Sequence, residues 1–77
     1  MDNPIRTIKQ EQGWISDEFA IACDVSISTI EHLLSAEQKS LPHSVLSTLE
    51  VLGYNKNDLK EDYRDYREYK RRELLQS

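Results

Sequence analysis

Two helical patterns of apolar residues meet at Asp24-Val25-Ser26, and the shortness of that break constrains the fold more than any other feature of the chain. Before it, Phe19, Ala20 and Cys23 recur at intervals of one, three and four residues, the spacing of one buried helix face. After it, Ile30, Leu33 and Leu34 repeat the pattern. With three residues between them, the two helices must turn sharply against one another. Ser16 is the expected N-cap of the first, with Asp17 and Glu18 following where the helix dipole favours negative charge. Ser26 is the expected N-cap of the second.

The remaining segments also carry a helical period, and no alternating run argues for a strand, so the expected class is all-α. Asn3-Pro4 reads as a cap followed by proline at the first helical position, with Ile5 and Ile8 on one face and Gly13 as the stop. A polar loop from Ser35 to Ser40 leads through Leu41-Pro42 to a fourth helix carrying Val45, Leu46, Leu49 and Leu52, ended by Gly53. Asn55 can cap a fifth helix over about 56–75, extended and densely charged, with Leu59, Tyr63, Tyr66 and Tyr69 or Lys70 along one side. Residues 1–77 are read as one domain with a core at about 4–60, near the lower size limit for a core without staples.

Charge is distributed unevenly. The chain carries a net charge of −4, yet residues 14–38 hold five acidic residues and no lysine or arginine. From Arg64 to Arg72 the balance reverses, with five basic residues against two acidic. No apolar run approaches the roughly 20 residues that span a bilayer, and no charged-then-apolar N-terminal stretch of signal-peptide type is present. With one cysteine, Cys23, which cannot form an intramolecular disulfide, the expected setting is soluble, reducing and cytoplasmic.

The residues Phe19-Ala20, Asp24-Val25-Ser26, Ile30, Leu33, Leu52-Gly53 and Leu59, in five helices with a tight turn between the second and third, resemble the lambda-repressor-like (Cro and XRE-type) helix-turn-helix DNA-binding domain. The likeness covers about residues 4–60. Ala20 suits the close helix crossing, and Val25 and Ile30 suit the core between the two helices. The family often has glutamine where Ser16 stands, glutamine or arginine around Ile27 and Ser28, and glycine where Asp24 and Ala36 stand. It also commonly pairs a basic residue of the first helix with an acidic one after Leu33; Lys9 matches the first, while Leu34 replaces the second.

The resemblance implies a small transcriptional regulator that binds duplex DNA through its third helix, as a homodimer. On that reading Ile27, Ser28, Glu31 and His32 face the major groove, Thr29 lies toward the backbone, Ser26 is among the DNA-contacting residues, and Ser16 sits at a helix N-terminus that can hold a phosphate. Ile27 can touch a thymine methyl, Glu31 can accept from cytosine N4, and serine can donate to a base edge or phosphate. Lys39, in the loop after the third helix, is the expected phosphate clamp, with Arg6, Lys9 and Lys56 in reserve. Two to four such contacts give modest, salt-sensitive affinity, and a dimer doubles them. The alternative is an acidic protein-interaction module on the same fold, which binds or opposes another regulator where a relative would bind DNA.

Other residues divide between functional and structural readings. Tyr63, Tyr66 and Tyr69 form either a partner or dimer interface or a row of which one or two pack on the domain's own core. Glu61 with Arg64, Asp65 with Arg67, and Glu68 with Arg71 and Arg72 read as surface pairs. Trp14 is expected to staple onto the helix it precedes. Cys23, His32 and His43 match no metal-ligand spacing, so no zinc site is expected. Neither a glycine-rich phosphate loop nor a nucleophile with an adjacent base is present, so no enzymatic activity and no cofactor are expected.

Overall fold

The computed structural model describes residues 1–76, and within them the chain forms five α-helices and no strand: α1 (Pro4–Gln12), α2 (Ser16–Cys23), α3 (Ile27–Leu34), α4 (His43–Val51) and α5 (Lys56–Gln76). The first four all end the same way. Gly13, Asp24, Ala36 and Gly53 adopt positive φ, at 70°, 55°, 65° and 101°. In each, the N–H of that residue reaches the carbonyl three positions back, and the next N–H reaches the carbonyl five back. This paired closure satisfies carbonyls the helix leaves orphaned. It also turns the chain sharply at each helix end, and all but the α3–α4 connection are short. Two of these left-handed positions are not glycine, and a Cβ there carries a steric cost.

The starts of the helices are varied. Asn3 caps α1 by accepting from the Ile5 N–H at 2.9 Å, with Pro4 at the first helical position. Ser26 caps α3, its Oγ accepting from the Thr29 N–H at 3.2 Å. Asn55 caps α5 through the Asp58 N–H at 3.0 Å. Ser16 does not cap α2: Ile15 occupies that place, and Ser16 is the first helical residue. Ile15 has no acceptor to offer, so the Glu18 carboxylate reaches back to its N–H at 3.0 Å instead. The Trp14 ring packs on Phe19, with centroids 5.1 Å apart, closing the staple that fixes the chain's entry into α2.

A single cluster forms the core, with contributions from every helix: Ile5 and Ile8, Phe19, Ala20 and Cys23, Ile30 and Leu33, Val45, Leu46 and Leu49, and Leu59 and Tyr63, closed by Leu41 from the loop. Val25, Leu34, Trp14 and Tyr54 pack at its margin. Leu52, expected on the buried face of α4, lies beyond its last residue and is 44% exposed.

Side chains from both ends of the chain converge on the end of α3 and the loop that follows. Asn3 is buried and donates Nδ2 to the Leu33 and Leu34 carbonyls at 2.9 and 3.0 Å. This contact joins α1 to α3. From α5, the Tyr63 hydroxyl donates to the Gln38 carbonyl at 2.7 Å and Arg67 Nε to the Ala36 carbonyl at 2.9 Å. Arg67 is therefore a loop anchor rather than a salt-bridge partner of Asp65, whose ion pair is with Arg64 at 3.8 Å.

Candidate functional site

Helix α3 presents two unlike faces. Ile30 and Leu33 point into the core, whereas Ile27, Ser28, Glu31 and His32 are exposed. Those four are the residues expected to face a groove, and the fold brings them together on one outward surface. Thr29 lies half-buried at their edge, its Oγ1 3.0 Å from Ser26 Oγ. The hydroxyls of Ser26 and Thr29 are thus engaged with each other and with the α3 N-terminus, and either oxygen can carry the proton of that bond. His32 Nε2 stands 3.7 Å from a Glu37 carboxylate oxygen. That contact places acid beside the only ring on this face.

Ser16 is half-buried at the start of α2, apart from the exposed row of α3. Lys39 is exposed in the loop, where it lines a groove with Ser40, Asn57, Lys60 and Arg64. The expected clamp thus stands with Lys60 and Arg64 of α5, and with Glu61 beside them.

The tyrosine row separates along α5. Tyr63 is 1% exposed and belongs to the core, so it is removed from any partner surface by its own packing. Burial pushes its phenol above the usual range, against a smaller lowering by the Arg67 guanidinium. Tyr66 is half-buried, and Tyr69 is exposed beside Glu73, whose carboxylate raises the Tyr69 phenol. What remains for a partner or dimer contact is Tyr69 and the outer edge of Tyr66. Cys23 is buried and its thiol is raised by that burial, which suits a small core hydrophobe and not a nucleophile.

No family model, curated protein or solved structure matches this chain. What the surface can do chemically therefore follows from its residues. The exposed side chains of α3 offer a hydroxyl donor and acceptor, a carboxylate acceptor, an imidazole and one aliphatic tip. That set can read hydrogen-bonding edges but cannot itself neutralise phosphate.

Proposed function

We propose that the protein is a small helix-turn-helix regulator of the lambda-repressor-like type that reads duplex DNA with α3. The observation that carries the reading is the outward row Ile27, Ser28, Glu31 and His32 on a helix whose opposite side is locked into the core. A rigidly seated helix with a free polar face is what groove recognition requires. Two further observations support it. Asp24 and Ala36, standing where the resembled family often has glycine, both adopt the left-handed backbone that glycine favours. Ala20, at the expected close crossing, is buried at 3% exposure. Homodimerisation belongs to the same reading, with Tyr69 and the outer edge of Tyr66 on α5 as the dimer element.

Fluorescence anisotropy against a panel of genomic and randomised duplexes at 50 mM salt tests this reading. The expected outcome is binding that differs among sequences and whose preferences shift in Ser28→Ala and Glu31→Ala without loss of helicity. Identical affinity for every duplex, or preferences unmoved by both changes, would sink α3 as the reader.

A second reading is favoured by one observation. Within residues 14–38 the ion pair among the described residues is His32 with Glu37, and no lysine or arginine neutralises Asp17, Glu18, Asp24 or Glu31. Such a surface can dock a basic protein. On that reading charge reversal at Asp17 or Glu31 breaks a protein contact, while Ser28→Ala is silent.

A further inference from the structure

Helix α5 sorts its charges by face. Lys56, Lys60, Arg64, Arg67 and Arg71 follow one another at steps of four, four, three and four residues, which at 3.6 residues per turn keeps them in a sector of roughly 80°. Asp58, Glu61, Asp62, Asp65, Glu68 and Glu73 fall on the other side, within roughly 140°. Leu59 and Tyr63 occupy the remaining sector and pack in the core; Lys70 falls in that sector further along the helix, and Arg72 falls among the acids. The basic row is thus bordered by the domain on one side and by acid on the other.

The row lies against the loop that follows α3. Two adjacent grooves run along it. Lys39, Ser40, Lys60 and Arg64 line the first, with Glu61 at its acidic border; Ser35, Ala36, Arg67 and Arg71 line the second, with Glu37 and Glu68 at its rim. Lys39, Lys60, Arg64 and Arg71 are exposed, and Lys56 and Arg67 half-buried. Arg64 meets Asp65 at 3.8 Å and Arg71 meets Glu68 at 3.7 Å, both beyond hydrogen-bond distance and between exposed groups that a competing anion can separate.

We infer that this row, with Lys39, is a rail for the phosphate backbone of duplex DNA, set against the loop that follows the reading helix. It supplies the cations that α2 and α3 lack. The inference rests on the DNA reading of α3 but invokes different residues. From Lys56 to Arg71 the row spans about 22 Å at 1.5 Å per residue, the length of about six base pairs at 3.4 Å each. Phosphates at the regular intervals of a duplex suit a row of cations at one-turn spacing. A membrane suits it less: an interfacial helix inserts a continuous apolar face, and here Leu59 and Tyr63 are spent on the core, which leaves exposed leucines on α5 only at its end, Leu74 and Leu75.

The test is the salt dependence of binding. The triple variant Lys60→Ala, Arg64→Ala, Arg71→Ala keeps Arg67 on its loop carbonyl and so keeps the fold, which circular dichroism checks. Its slope of log affinity against log salt is expected to be shallower by about 2.7, at about 0.9 per phosphate contact, with affinity at 50 mM salt at least about tenfold weaker. A sharper comparison uses sequence neighbours. Arg71→Ala is expected to flatten the slope, whereas Arg72→Ala, which removes the same charge from the acidic side of the helix, leaves it unchanged. Equal effects of those two, an unchanged slope in the triple variant, or no binding of the wild type to any duplex at 50 mM salt overturns the rail. So does retention on phosphatidylserine vesicles in place of DNA. Binding that ignores sequence but loses slope in the triple variant retains the rail and rejects α3 as reader; sequence-dependent binding with the slope intact does the reverse.

Discussion

Replacing Asn3 by alanine removes three hydrogen bonds that no neighbouring side chain is placed to restore. Its Oδ1 caps α1, and its Nδ2 holds the Leu33 and Leu34 carbonyls at the far end of α3. Loss of an asparagine cap costs about 1 kcal/mol, with a range of about 0.5–2. Each lost carbonyl bond costs a further ~0.5–1.5 kcal/mol. Asn3→Ala should therefore destabilise by about 2–4 kcal/mol, and for a domain of this size each kcal/mol lowers Tm by about 4–8 °C. The expected fall is roughly 10–30 °C, read by thermal and urea unfolding followed by circular dichroism. Asn3→Ser separates the contributions, because serine keeps the cap and cannot reach α3; it should recover about 1 kcal/mol of the loss. An alanine variant within about 0.5 kcal/mol of wild type, or a serine variant equal to wild type, would refute the view that this side chain ties α1 to α3.

Tyr63→Phe should lower stability at neutral pH by about 1 kcal/mol through loss of the bond to the Gln38 carbonyl. The same residue sets a pH dependence: its phenol is raised by burial, so its contribution is complete below the ordinary value of about 10 and is lost as pH rises through the higher folded value. Thermal melts from pH 8 to 11 should show wild type losing Tm above about pH 10 and Tyr63→Phe losing less; parallel curves would refute it. Ala36→Gly should stabilise by about 0.5 kcal/mol, because relief of the left-handed backbone at φ 65° outweighs the extra freedom glycine gives the unfolded chain. A lower Tm for that variant contradicts the strain assigned to position 36.

Where one residue type answers a backbone need, the fold was legible in the sequence. Asn3-Pro4, Gly13, Ser26, Gly53 and Asn55 all take the cap or stop positions their chemistry suggests, and the buried row of each helix follows its apolar spacing. The start of α2 was misread by one position because a serine draws attention as a cap, while the actual bond comes from Glu18 three residues on. Leu52 was placed in the core because spacing alone does not tell the last turn of a helix from the residue beyond it. Links across the fold were the least legible. Nothing local to Asn3 or Arg67 announces acceptors some thirty residues away in sequence. At the candidate site, the exposed row of α3 followed from the pattern of its buried residues. The basic row of α5 is not legible in the charge balance from Arg64 to Arg72, because that stretch mixes two faces that the helix holds apart.

The bonds converging on residues 33–38 share one property: every acceptor is a main-chain oxygen. The course of that stretch is therefore held by Asn3, Tyr63 and Arg67 through its main chain, alongside Leu33 in the core, Leu34 at its margin and the left-handed backbone at Ala36. Positions 37 and 38 can be rewritten without redirecting the loop, since any residue there presents the same carbonyl or none is needed. Shape and surface chemistry are thus encoded in different parts of the chain. A library that varies the loop and holds the three anchors constant would sample new surfaces on a constant backbone, whereas the converse library would scatter the backbone beneath an unchanged surface.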